Sequence, residues 1–541
     1  MAHFFEIPEL LSLVCEQTRR SDLARLLTTS RLFFECAMPF VWRSLPQSAP
    51  IILLRLLPNA DAYLNTNLNE ALVQAILENL HTLDPQSLVR FNLYAIHVKR
   101  IVRHNQNKQS NVAWDRLLKL VGARPILPNL EVLKIPINPP RHFPGEINGR
   151  ELISYFTAYL SPTLVEIDST RGPDLYMEPE NFTPLVSRIA QECPHLKSLK
   201  LKAWTGPSGV GHDPNKLAGS LVQFHNLCSV TLGFVALDPR VLVSLGTLPN
   251  LESLNIDEST GGEEWIDSES PPISLPDGSF PALRHLGISV YFGCLAIYQI
   301  WNINALVQCL TSISVPILGI GDPAEACNFI RTICKASPLV TDLCVNSIRS
   351  PRIDFLSSAI IDYLAQLPLE RLRLSWKDLS NQYCGGEYFV RAFPNMKSLR
   401  IRGYTFSFKD LVLMAKYMPE LQYLSVLIEV NVGWPTRQEL PALGLAPSPS
   451  QLELHFVSSG SGLGTPNEAI EGIAAGLLAL WPSGVTCVAY SRSDKGSEMG
   501  WMDRVNAELK RLRKVSGHGN SQTEVGLRKY IKRVPPWLDR V

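Results

Sequence analysis

The sequence predicts an α/β solenoid, an irregular horseshoe of strand-and-helix repeats preceded by three short helices. Three observations lead there. An apolar triplet recurs along most of the chain, helical periodicity fills the stretches between its copies, and a different amphipathic pattern is confined to residues 1–46.

Composition bounds the classes of function. The chain has 541 residues, 45% of them hydrophobic, with 10 tryptophans, enough to bury a large core. Lys plus Arg number 51 against 50 Asp plus Glu, a net charge of +1, so no global field recommends nucleic acid or an anionic membrane as partner. Glu6 and Glu9 flank Pro8 where a secretory signal needs a basic region. The apolar stretch from Tyr291 to Leu310 is interrupted by Gln299, Asn302, Asn304 and Gln308, and no run approaches the roughly 20 residues of a membrane span. The 11 cysteines form no Cys-x-x-Cys pair and are odd in number, which indicates neither a disulfide framework nor a zinc site. They read as small core hydrophobes of a reducing compartment. The expectation is a cytoplasmic or nuclear protein, in which the Asn181-Phe182-Thr183 sequon is an accident.

Residues 1–46 come first. Leu10, Leu11 and Val14 share one helical face, and Leu23, Leu26 and Leu27 repeat the spacing. Ser21 and Asp22 are candidates to start a second helix, and Pro39 interrupts the pattern before Val41 and Trp42. Helical units of about 40 residues are marginal alone, so a partner is expected. Ile7-Pro8, Asp22-Leu23, Ser30-Arg31-Leu32-Phe33 and Trp42-Arg43 follow one another in the order seen in an F-box, which this segment resembles. It departs in the run after Pro8 and at Cys15, where an aromatic is common. The resemblance implies that Ile7, Pro8, Leu11, Val14, Leu23 and Trp42 engage a Skp-type adaptor and, through it, a cullin ligase. The competing reading is an N-terminal helical cap on the adjoining domain.

Residues 47–89 read as a helical linker and cap, from patterns at Ile51 to Leu57 and Leu68 to Leu83. The stretch from Asp84 to Ile101 resembles the segment joining F-box to repeats in fungal F-box proteins. Residues 90–491 carry the triplet, an apolar residue followed at the third and fifth positions by two more. Copies begin at Leu130, Leu196, Leu251, Leu283, Leu369, Met396 and Leu421, with weaker ones at Leu164, Leu227, Val340 and Val485. Their spacing is irregular, roughly 24 to 35 residues, around the range of leucine-rich repeats and longer where loops intervene. Helical patterns intervene at Glu151 to Leu160, Leu217 to Phe224, Ala324 to Lys335, Phe355 to Leu367 and Phe408 to Met418. Residues 492–541 read as a basic C-terminal cap or tail, with Lys510, Arg511, Arg513 and Lys514 on a helical pattern and Arg528, Lys529, Lys532 and Arg533 beyond. Nuclear import or binding to an anionic surface is the functional alternative for that tail.

A repeat array recognises partners through the variable positions of its strands. Arg371 and Arg373 in one copy and Arg400 and Arg402 in the next fall on adjacent strands, and Lys200 and Lys202 add basic character elsewhere. Such a patch suits an acidic or phosphorylated target. The alternative is a solvated face balanced by Asp342, Glu370 or Asp378. The acidic stretch 257–278 reads as an exposed loop, and Gly460, Gly462 and Gly464 as a turn without the Gly-Lys-Ser/Thr ending of a phosphate loop. No local motif points to catalysis, a metal or a cofactor. The expected function is substrate recognition for an SCF-type ubiquitin ligase in ubiquitin-dependent degradation. A leucine-rich-repeat interaction scaffold without a ligase role is the alternative.

Overall fold

The computed structural model describes residues 7–45, 52–53, 55–57, 88–102, 125–134, 156–169, 179–201, 213–258, 273–290, 298–317, 322–347, 356–376, 382–383, 386–429, 433–458, 467–489 and 497–515. The expected helix Leu68 to Leu83, Lys202, most of the acidic stretch 257–278, Asp378, the Gly460 series and the basic residues beyond Val515 lie outside them. The chain forms two compact units, Met1–Val290 and Tyr291–Val541.

The first unit opens with helices Pro8–Gln17, Arg20–Leu26 and Arg31–Trp42. Pro8 occupies the first turn, where its missing N–H costs nothing. The second helix starts at Arg20, ahead of the expected Ser21-Asp22. No side chain caps it, and Asp22 instead lies in the first turn, favourable to the helix dipole. The third is capped by Ser30, whose hydroxyl accepts from the Phe33 N–H, and it runs through Pro39 instead of stopping there. The carbonyl of Glu35, an exposed residue, loses its helical partner to that proline. Leu11, Cys15, Leu23, Cys36 and Ala37 form the small core, with Leu26, Leu32, Phe33 and Phe40 packed around it.

Among the described residues this unit has eight strands: β1 (Ser44–Leu45), β2 (Arg100–Val102), β3 (Val132–Lys134), β4 (Glu166–Asp168), β5 (Ser198–Lys200), β6 (Ser229–Leu232), β7 (Ser253–Glu258) and β8 (His285–Val290). They pair in parallel in chain order. Leu133, Ile167, Leu199, Val230, Leu254 and Leu286 stand in one register row, all buried. Each contributes about 1.5–3 kcal/mol by leaving water, and none could do so without the neighbouring repeat.

The second unit has β9 (Ser312–Ile317), β10 (Asp342–Ser347), β11 (Arg371–Trp376), β12 (Gln382–Tyr383), β13 (Ser398–Phe406), β14 (Tyr423–Ile428), β15 (Leu452–Ser458) and β16 (Val485–Ala489). All are parallel, with β12 an extra strand on β13. Ile313, Leu343, Leu372, Leu399, Leu424, Leu454 and Cys487 make its apolar row. A helix follows most strands, as in Pro323–Ala336, Ser358–Leu364, Phe408–Tyr417 and Asn467–Leu480. This is the expected α/β leucine-rich-repeat architecture.

Asparagines stitch successive repeats together, and Asp-Pro pairs start the helices within them. The Asn129, Asn226 and Asn250 amides donate to the carbonyls of Ile96, Pro194 and His225 in the preceding repeat, at 2.7 to 3.0 Å. Asp213, Asp238 and Asp322, each followed by proline, cap helices Pro214–Leu221, Pro239–Gly246 and Pro323–Ala336. The last strand is closed by helix Ser497–Val515. There Asn506 accepts from the Cys487 N–H at 3.0 Å and donates to its carbonyl at 2.7 Å, and Arg513 donates to the Val485 carbonyl at 2.6 Å. The edge that β16 would offer to another chain is therefore occupied.

Candidate functional site

Two surfaces, one in each unit, hold the residues singled out by the sequence. On the three helices those residues divide. Leu11, at 0% exposure, and Leu23 are core. Ile7, Pro8 and Val14 are exposed, and Leu13, which the helical pattern did not single out, is 60% exposed. Ile7, Leu13 and Val14 are large apolar side chains in water on or beside a helix that already has a core. Trp42 belongs to neither group: its ring lies 4.4 Å from that of Tyr94, with Phe34 edge-on to the same tyrosine at 6.5 Å. Just beyond it the Arg43 carbonyl accepts from the N–H groups of Lys99 and Arg100, both at 2.9 Å, and β1 joins β2. The third helix is thus fastened to the repeats by its end, while the first presents apolar side chains to solvent.

In the second unit, strand alternation puts Arg371, Arg373 and Ser375 on one face of β11 and Ser398, Arg400 and Arg402 on the same face of β13. The four arginines are not equivalent. Arg371 stands opposite Asp342, and its Nε donates to that carboxylate at 2.9 Å; the acid is 8% exposed and the arginine 50%. Arg373 and Arg400 are direct register partners, and Arg402 stands opposite Ser375. Arg400 is 6% exposed, a departure from four solvent-facing guanidinium groups, because it lies between Arg373 and Ser425 in the middle of the sheet. Arg402 precedes Gly403, whose φ of +101° sits where the register between β13 and β14 shifts. Only glycine adopts that backbone without strain, and the bulge turns the strand just past the arginine.

The neighbours are locked in pairs. Glu370 holds Lys397 at 2.8 Å, and Glu453 holds His455 at 2.6 Å while the His455 ring packs on Tyr423 at 4.8 Å. Burial pushes the Tyr423 hydroxyl up, against the lowering pull of Arg400 and Arg373. Burial likewise raises the Cys344 thiol against Arg373. The Arg373 charge therefore acts on both Cys344 and Tyr423, and that of Arg400 on Tyr423. On the corresponding face of the first unit Lys134 pairs with Glu166 at 2.7 Å and Lys200 with Asp168 at 3.9 Å.

The Cys193, Cys334 and Cys487 thiols are pushed up to about 12 by burial and stay protonated at neutral pH. Among the described residues no three His, Cys, Asp or Glu side chains come together as metal ligands, and no helix is long and apolar enough to cross a membrane. Asn181 of the sequon is buried.

No protein-family model matches the chain, and no curated protein does. Among solved structures it is similar to the Rad7 and Elc1 complex in yeast, at 12% identity over 64% of this chain and 82% of that one, with a TM-score of 0.33. It is also similar to an internalin from Listeria monocytogenes, at 11% identity over 69% and 90% of the two chains with a TM-score of 0.27. The TLR13–ssRNA13 complex matches at 12% identity over 69% and 58%, with a TM-score of 0.30. At these values the likenesses carry no argument about function, and the fold rests on the parallel register itself.

Proposed function

We propose that the chain is the substrate-recognition subunit of an SCF-type ubiquitin ligase, docking a Skp-type adaptor through its three N-terminal helices and a target protein through the sheet face of its second unit. The observation that carries this reading is the division of labour within residues 7–45. Leu11 and Leu23 hold the helices together, Trp42 packs against Tyr94 beside the repeats, and Ile7, Leu13 and Val14 remain exposed. Exposed apolar side chains on the first helix are what an adaptor-binding module requires. The order of the F-box-like residues supports the same assignment. The chain does no chemistry of its own in this account. It raises the effective concentration of a target beside a ligase assembled by others.

The test is co-purification of the full chain with a purified Skp-type adaptor. Leu13→Asp combined with Val14→Asp removes two of the three exposed apolar side chains without entering the core. Loss of adaptor binding in a variant with unchanged circular dichroism and melting is the expected result. An intact chain that fails to bind the adaptor leaves the interaction scaffold as the account.

A further inference from the structure

Beyond the adaptor reading, we propose that the junction between the three helices and the repeats is a docking surface of its own. It fits a partner protein that presents a segment carrying both apolar side chains and carboxylates. Val89, Leu93 and Ile96 form its apolar floor, and Arg43, Arg90 and Arg100 supply its charge.

Helix Val89–Ala95 has two opposed apolar faces. Phe91 and Ala95, at 0% and 2% exposure, pack inward. Val89, Leu93 and Ile96 stand on the other side at the i, i+4, i+7 spacing of one stripe and are 70%, 44% and 46% exposed. The helix already has its core, so the stripe is left in water at a cost that a partner removes.

Charge decides which partner fits. From Val41 to Val102 no described residue is Asp or Glu. Arg43, Arg90 and Arg100 are exposed, and among the described residues no ion pair or side-chain hydrogen bond engages their guanidinium groups. The Arg43 carbonyl accepts from the Arg100 N–H at 2.9 Å, which sets these two residues side by side where the repeats begin. Trp42, stacked at 4.4 Å on Tyr94, brings the same point against helix Val89–Ala95. The carboxylates of the next strands are held by lysines, Glu131 by Lys99 at 2.6 Å and Glu166 by Lys134 at 2.7 Å. Val132 also separates Arg100 from Glu166 in their register row. A partner's carboxylate therefore meets guanidinium forks that neither of these acids occupies. A protein fits better than an anionic membrane, because the helix has only 7 residues and the chain a net charge of +1. Membrane surfaces are held by longer amphipathic helices or larger basic fields.

Fluorescence polarisation on the full chain tests this with a labelled amphipathic peptide, leucine at helical spacing on one face and glutamate on the other. One control peptide replaces glutamate by lysine and another replaces leucine by serine. We expect the leucine–glutamate peptide to bind, more weakly as salt rises, and neither control to do so. Arg90→Gln with Arg100→Gln, or Leu93→Ser with Ile96→Ser, weakens that binding about tenfold or more. Val222→Ser, at an apolar residue of the same unit that is 41% exposed, leaves it within about twofold. No binding, binding indifferent to charge, or binding retained by both double variants overturns the proposal. So does a preference for phosphatidylserine vesicles over the peptide. Adaptor co-purification is expected to survive both double variants, and its loss would make this surface part of the adaptor interface and overturn a separate partner.

Discussion

Leu11 and Leu13 lie two positions apart on one helix, and the difference between them decides what each does. Leu11 is enclosed by Cys15, Leu23 and Cys36, so Leu11→Ala should cost about 2–5 kcal/mol in denaturant unfolding. Leu13 is in water, and Leu13→Ala should stay within about 0.5 kcal/mol. Equal losses would mean that the exposed set is packed in solution. Arg371 and Arg400 differ in the same way: the first is exposed and donates to Asp342, while the second is buried. Gly403 is a third position of this kind: at φ +101° a side chain is strained, and Gly403→Val should destabilise the second unit by more than about 1 kcal/mol, measured by thermal melting. An unchanged melting temperature would show that β13 relaxes without cost.

At the scale of the element, the Asp-Pro pairs set where helices begin. Asp238→Ala removes a cap from Pro239–Gly246 and should cost about 1 kcal/mol. Burial pushes the Asp238 carboxyl up, but hydrogen bonds from Arg240 outweigh it and hold it below the usual carboxylate range. The Lys216 N–H does the same for Asp213. Because both are lower in the folded state, their contribution is complete above the unfolded value of about 3.9 and is lost as pH falls through the folded values. Acid titration of melting should therefore be shallower in the Asp213→Asn, Asp238→Asn variant, and an identical slope would contradict the capping role. Most elements were legible as triplets, and the reasons for the exceptions are physical. β9 has the full triplet Leu310, Ile313 and Val315, but Pro316 within it argues against a strand. β15 has Gln451 where the leading leucine belongs. The arginines were visible as a pattern, but the burial of Arg400 and the pairing of Arg371 depend on strands that only the fold brings beside them. The asparagine bridges stand one position before a triplet, outside its three apolar positions.

Across the whole molecule, repeats must be closed at their ends, because no unit buries its apolar face alone. Asn506→Ala strips both partners from Cys487 at the last strand, an effect of about 1–3 kcal/mol that should appear as faster amide exchange at β16. At the other end the closing helices also carry the surface on which the functional account depends. Amide hydrogen exchange on the full chain, with and without a purified Skp-type adaptor, tests that account most directly. Protection gained in Pro8–Gln17 and absent from β11 and β13 is the predicted result. No protection in that helix, or protection on β11 and β13 instead, would contradict the assignment of the three helices to the adaptor.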